Sequence, residues 1–384
     1  MRILQLAPLW EAVPPPGYGG TEAVVSILVE ELVRRGHQVT LCASGDSSTD
    51  AELFSVYPRS LRTADDLRDR HPYDWMHMAL SLREAATGYD IIHNHAGELA
   101  MAMSHLVQVP MLTTMHCLIT PDTRFIWDHY RGWYNTISRS AQMNMPSIRG
   151  GVYAGVVHNA IDVQSFPYDE NKEGYLLFLS RVAPDKGTHL AIEVARRTGL
   201  RLVIAAKVDR ADRDYFHEVV EPLIDGKLVQ FLGEADASLK RKLYAKARGL
   251  LLPICWEEPF GLVMPEAMAC GTPVIAFRRG GAPEIVVHGE TGFLVDDLEG
   301  MVDAVYQLDR IDPRRCRRHV EERFDVARMA DDYLALYERI REQVGARDRF
   351  LLEAAVPGAT PAAGTEALAE ASPSTDGEEE MAVA

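Results

Sequence analysis

The run Gly249-Leu-Leu-Leu-Pro-Ile-Cys255, followed after two intervening residues by Glu258-Pro-Phe-Gly-Leu-Val-Met-Pro-Glu266, decides how this chain is read. The first segment is an apolar run of the length and composition of a buried strand. From Pro259 onward the spacing predicts a helix. Glu258 then stands at the carboxyl end of a strand, and Glu266 lies about two turns along the helix, at ~3.6 residues per turn. Between them Phe260, Gly261 and Leu262 offer free backbone N–H groups where the helix begins, an anion site with a carboxylate on each side. Phosphate on the amides and sugar hydroxyls on the carboxylates is the matching ligand pattern. The same residues also read as a plain helix start, with one acid favourable to the dipole and one solvated. Local physics leaves the two readings level.

Working outward, strand and helix alternate in both directions, which argues for α/β architecture with parallel sheets. Towards the amino terminus the pattern predicts strands at Tyr175–Ser180, Leu202–Ala206 and Leu228–Leu232, with helices at Thr188–Arg197, about Arg213–Ile224 and Ala237–Ala247. Beyond the quoted stretch, strands are expected at Pro273–Phe277 and Gly292–Val295. The first half repeats the alternation: strand Arg2–Ala7, a Pro/Gly-rich loop through Gly20, a helix capped by Thr21 and ended by Gly36, and strand Gln38–Ala43. Further strands are expected at Asp90–His95, Met111–His116 and Trp133–Ser138. Residues 47–72 carry too little pattern to place. Amphipathic helices are expected at Leu298–Leu308 and about Val326–Val344. The domain organisation that follows is 1–165, 166–325, a closing helix 326–345, and a tail at 352–384. That tail holds seven acidic and no basic residues and is expected to be disordered.

The formal net charge of −16 makes non-specific binding to nucleic acid or an anionic membrane a poor fit. Five cysteines without a CxxC pair argue against a disulfide framework or structural zinc, and suit a reducing cytoplasm. No apolar run approaches the ~20 residues that span a bilayer. The first residues read as a strand, without a signal peptide's long apolar core.

The run from Glu258 through Ala276, with Gly280-Gly-Ala-Pro-Glu284 and Gly289-Glu-Thr-Gly-Phe-Leu-Val295, resembles the E-x7-E signature region of family 4 glycosyltransferases. A second match is Leu179-Ser-Arg181-Val-Ala-Pro-Asp-Lys186-Gly187. The resemblance extends over most of residues 1–345 and is weakest over 51–89. It implies the GT-B fold: two Rossmann-like domains facing a central cleft, the last helix crossing back to the amino-terminal domain. It also implies retaining, metal-independent transfer of a hexose from a nucleotide diphosphate sugar, by family frequency UDP-glucose, to an acceptor hydroxyl.

By this resemblance Arg181 and Lys186 hold the donor diphosphate. Fixed cations there stabilise the charge that grows on the leaving group. Glu266 is expected on the ribose hydroxyls and Glu258 on the transferred sugar. The amides of Phe260, Gly261 and Leu262 are expected near phosphate or sugar, and Gly233 by the nucleobase. Gly20 belongs to a glycine loop approaching the donor phosphates, where a residue without Cβ lets backbone come close. His116, ending its strand, is expected to contact the transferred sugar. Read without the resemblance, Arg181 and Lys186 are ordinary loop cations and His116 a strand-end histidine satisfied by backbone.

His93, Asn94 and His95 lie near His116 in this reading, but no carboxylate or cysteine completes a metal set, so no metal or other cofactor is expected. Gly19-Gly20-Thr21-Glu22 is not a G-x-G-x-x-G fingerprint, which disfavours a nicotinamide-dependent dehydrogenase. Two further readings share the cleft: a nucleotide-sugar epimerase of the same fold, and a non-catalytic nucleotide-sugar-binding protein. Acceptor identity and oligomeric state are not legible.

Overall fold

Thirteen strands form two parallel sheets in the computed structural model, which describes residues 1–354 apart from Tyr18 and Thr87. The first sheet contains β1 (Arg2–Leu6), β2 (Gln38–Cys42), β3 (Glu52–Phe54), β4 (Ile91–Asn94), β5 (Met111–Met115), β6 (Trp133–Thr136) and β7 (Val152–Val156). Its order is β3-β2-β1-β4-β5-β6-β7. The second contains β8 (Leu176–Arg181), β9 (Leu202–Lys207), β10 (Val229–Phe231), β11 (Gly249–Leu252), β12 (Val274–Phe277) and β13 (Gly292–Val295), ordered β10-β9-β8-β11-β12-β13. All pairs within both sheets are parallel. The β11 residues are all buried, as expected of a central parallel strand covered on both faces.

Each sheet changes direction once, between β1 and β4 and between β8 and β11. In open α/β sheets ligands sit beyond the carboxyl ends of the strands flanking such a reversal. The first reversal carries the loop leading to Gly20 and, after β4, His95. The second carries Arg181 at the end of β8, Lys186 in the loop that follows, and the Glu258 turn after β11.

The second sheet has one apolar core and the first has two, one on each face. One of the latter takes in Met329, Ala330, Tyr333, Leu336, Tyr337 and Ile340 of the last helix, Val326–Ala354, against Ile3, Val25 and Ile91. Residues 1–342 form one compact unit; of the second, residues 343–384, those described are helical. Of the expected disordered tail, residues 352–354 are helical, and 355–384 lie outside the described residues.

Several expectations are corrected. The first helix is Gly20–Arg34, so Thr21 lies inside it and Gly19 occupies the cap position. The helix after the Glu258 turn begins at Val263, because Gly261 has φ +87°, which no helix accommodates. Glu266 is therefore one turn in, and the three amides belong to the preceding turn. The helix expected over Arg213–Ile224 is a composite of a short α piece, a π turn at Phe216–Val220 and a 3₁₀ turn holding Pro222. The unplaced stretch holds β3 and the start of helix His71–Glu84. Strand β7 and helix Pro313–Arg323 were not expected.

Candidate active site

The loop after β8 is fastened to the loop after β11. Gly187 has φ +72°, and a Cβ there would lie 2.1 Å from the Pro253 carbonyl oxygen, so only glycine fits. The Cys255 amide donates to the Asp185 carbonyl at 2.8 Å. This staple carries Lys186, only 8% exposed, onto Glu258, whose carboxylate it pairs with. The Lys186 ammonium also lies 4.9 Å from the Trp256 ring centroid.

Glu258 is held from the other side by Gly280 and Gly281. The Gly281 amide donates to the Glu258 carbonyl at 2.8 Å, and a Cβ on Gly280 would lie 2.3 Å from the same oxygen. Among the described residues, the amides of Phe260, Gly261 and Leu262 donate to no protein acceptor. Glu266 is 6% exposed, with Oε1 accepting from Lys240 Nζ at 2.7 Å and Oε2 from the Tyr244 hydroxyl at 2.8 Å. Each oxygen keeps a lone pair for a further donor.

Arg181 is placed differently from Lys186. Its guanidinium lies 3.4 Å from Asp212, 3.8 Å from Asp185 and 3.9 Å from Asp209, and among the described residues no ion pair joins it to the Glu258 turn. Lys207, on the neighbouring strand, pairs with Asp209 at 2.9 Å. Gly233 lies in the loop after β10 with φ +75°.

The first sheet meets this region through its glycine loop. A Cβ on Gly20 would lie 3.7 Å from Leu262 Cδ1, and one on Gly17 2.7 Å from Glu234 Oε1. Glu22, two residues on, is buried, and burial pushes its pKa up to about 7. His116 follows β5, partly exposed, with Nε2 2.9 Å from His95 Nδ1. Burial pushes the His116 pKa down to about 4, so the ring is neutral near pH 7. Among the described residues no group of three or more His, Cys, Asp or Glu side chains could hold a metal ion.

A clamp that the sequence did not disclose joins the two sheets' elements. Glu284 accepts from the amides of Arg139 and Ser140 at 2.9 and 2.7 Å and lies 2.9 Å from His158 Nε2. Burial works to raise the Glu284 pKa, but His158 and the two amides hold it below its ordinary value. Beside this clamp a cavity of about 650 Å³ is lined by Arg139, His158, Arg323, Arg328 and Arg339, away from Lys186 and Glu258.

Two parallel Rossmann-like sheets, with loops from their reversals brought together, make up the GT-B fold. The chain belongs to the family 4 glycosyltransferases. Residues 161–316 match the model described as Glycosyl transferases group 1, and residues 18–146 that of Glycosyltransferase Family 4. An uncharacterized glycosyltransferase of Methanocaldococcus jannaschii is 26% identical over 396 residues, covering 88% of this chain and 98% of the relative. Among solved structures, AviGT4, a glycosyltransferase involved in avilamycin A biosynthesis, superposes with a TM-score of 0.70 at 24% identity, over 89% of this chain and 98% of the other. Anabaena HepE, solved with UDP and glucose, gives 0.65 at 20% identity, over 90% and 100%. The chain is a transferase that uses a nucleotide sugar and an acceptor. Among the described residues no helix is long and apolar enough to cross a membrane.

Proposed function

We propose that the chain transfers a hexose, with UDP-glucose the first donor to test, to an acceptor hydroxyl with retention of anomeric configuration and without a bound metal, in the cytoplasm. The observation that carries the reading is the Lys186–Glu258 pair beside three unpartnered amides, Phe260 to Leu262. Lys186 has three donor hydrogens, so it can keep Glu258 and still meet a phosphate oxygen. The amides of the turn take the rest of the diphosphate charge, and Arg181 reaches it from the end of β8. Glu266 receives the ribose hydroxyls, Glu258 the sugar hydroxyls, Gly233 faces the base, and Gly20 lets the first helix approach the phosphates. His116 meets the transferred sugar from the first sheet.

In the proposed step the bond from the anomeric carbon to the diphosphate oxygen breaks, and its electron pair leaves with the nucleoside diphosphate. The acceptor oxygen bonds to the same face of that carbon. Its proton passes to the departing phosphate oxygen. Lys186 and the amides stabilise that oxygen more as charge develops than in the bound donor. HepE's complex with UDP and glucose supports trying UDP first.

The test is calorimetric titration with UDP, GDP and ADP, followed by turnover with the matching hexose donor in the presence of a chelator. Micromolar binding of one nucleotide, lost on Lys186→Ala, and a product of unchanged anomeric configuration are expected. Absence of binding by all three, or binding indifferent to Lys186, refutes the donor site; an inverted product refutes the front-face step. Epimerised nucleotide sugar without free UDP would identify an isomerase instead.

A further inference from the structure

A chain of buried polar groups runs from His116 through the first sheet to the last helix. His116 Nε2 meets His95 Nδ1 at 2.9 Å, and His95 Nε2 meets Gln5 Oε1 at 2.9 Å. The Gln5 side-chain amide donates to the Tyr337 hydroxyl at 3.1 Å, which lies 2.6 Å from His93 Nδ1. His93 Nε2 lies 2.7 Å from Thr114 Oγ1, which donates to Asn135 Oδ1 at 2.8 Å. Tyr333, one turn from Tyr337 on the same helix, completes the far end at 3.0 Å from Thr114 Oγ1. Gln5, His93, His95, Thr114, Asn135, Tyr333 and Tyr337 are all 3% exposed or less.

The direction of every hydrogen bond follows from one end. The Asn135 side-chain nitrogen faces the Thr136 carbonyl at 3.4 Å, and a carbonyl only accepts, so Asn135 turns its oxygen to Thr114. Thr114 must spend its single hydrogen on that oxygen and can only accept from His93, which carries its proton on Nε2. Burial keeps His93 and His95 neutral, so each ring has one proton. The bare His93 Nδ1 then requires the Tyr337 hydroxyl to donate to it, which requires Gln5 to offer its nitrogen to Tyr337 and its oxygen to His95. His95 donates from Nε2 and accepts at Nδ1 from His116 Nε2–H. His116 is left with Nδ1 unprotonated; it has no protein partner among the described residues and is not among the buried unpartnered atoms.

We propose that Asn135, acting through Thr114, His93, Tyr337, Gln5 and His95, locks His116 in its Nε2–H tautomer, so that the group His116 presents to substrate is a hydrogen-bond acceptor. The second half rests on the proposed placement of His116 at the transferred sugar; the first does not. The ring therefore receives a hydroxyl hydrogen from the substrate and donates none. The six linking side chains are positioning residues, and the last helix takes part through Tyr337 and Tyr333.

The experiment is two-bond proton–nitrogen correlation of the imidazole rings in the full, histidine-labelled chain, assigned with His93→Gln, His95→Gln and His116→Gln. In the wild-type protein His116 is expected to show a protonated Nε2 and a bare Nδ1; the reverse overturns the proposal. Tyr337→Phe frees the Gln5 amide to flip, so the His95 and His116 nitrogens should move towards values averaged over both tautomers, and unchanged signals count against the lock. If Tyr337→Phe does not fold, the wild-type spectrum still decides. Turnover separates the two halves. With UDP affinity unchanged, Tyr337→Phe should lower kcat several-fold, and an unaltered kcat refutes the role towards substrate. Failure of all nucleotides to bind would refute the donor site and leave the tautomer result standing.

Discussion

Replacing Glu22 by Gln isolates a carboxyl that the fold keeps in an unusual state. Glu22 is the third residue of the first helix, where the dipole favours a negative charge. Its 5% exposure outweighs that: burial is the largest influence and the neighbouring Glu11 carboxylate adds to it, against backbone hydrogen bonds that oppose them. The result is a pKa of about 7 in place of 4.5. Below pH 4.5 the carboxyl is protonated in both folded and unfolded chains and costs nothing. As pH rises from 4.5 to about 7 the unfolded chain releases this proton and the folded one retains it, so folding stability is lost across that window. At 1.36 kcal/mol per pH unit the loss reaches about 3 kcal/mol by pH 8. Glutamine keeps the shape and cannot ionise. The assay is urea unfolding of both proteins at pH 4, 6 and 8, followed by tryptophan fluorescence; four of the five tryptophans lie in the first half of the chain, so the signal reports the half that holds Glu22. Glu22→Gln should match the wild type at pH 4 and exceed it by about 3 kcal/mol at pH 8. A difference that does not grow with pH, or one favouring the wild type at pH 8, would refute the buried neutral acid.

Gly280→Ala places a Cβ 2.3 Å from the Glu258 carbonyl oxygen at φ +55°, so the turn must shift; calorimetry should show at least tenfold weaker nucleotide binding, about 1.4 kcal/mol or more. Lys172→Met strips the ammonium from the Ala245 and Cys270 carbonyls and Thr272 Oγ1, each 2.9 Å away, and urea unfolding should report a loss of about 3 kcal/mol.

Strands such as Gly249–Leu252 and Val274–Phe277 were legible because a central parallel strand is apolar on both faces, whatever its partners. Helix His71–Glu84 was not, because its apolar residues do not keep to one face: Trp75 and Met76 are exposed, while the polar His77 and Ser81 are buried beside Met78 and Leu82. Strand β7 escaped for the opposite reason. It is an edge strand, half-exposed, with Gly155 beside an irregularity in its pairing with β6. Helix Pro313–Arg323 buries only Cys316 and Val320 under seven charged side chains. At the candidate site, Lys186 and Glu258 lie in turns marked by Gly187, Gly261 and Gly280, and Glu266 one turn into the helix that follows, so local sequence was enough to single these positions out. The Glu284 clamp could not, since it joins residues 126 to 145 positions apart with no local signature.

Separations of 26 to 72 positions hid most of the acidic surroundings of the site's cations, Asp185 excepted, and these surroundings bear on how a diphosphate would be received. Lys186 already faces Glu258, Lys240 faces Glu266, and Arg181 stands among Asp185, Asp209 and Asp212. Under the proposed reading the donor does not fill a pocket of bare positive charge. It joins cations whose positions are set beforehand by carboxylates, and the entropy of fixing those side chains is met on folding rather than on binding. The carboxylates also weaken the net attraction for any anion, so binding strength depends on contacts that only the whole ligand makes: amides for phosphate, and acids for ribose and sugar hydroxyls. An inorganic anion collects the first and is repelled by the second. Selection for a nucleotide sugar over free phosphate then follows from the pairing of unlike charges, the feature that separates this turn from an ordinary helix start with an acid beside it.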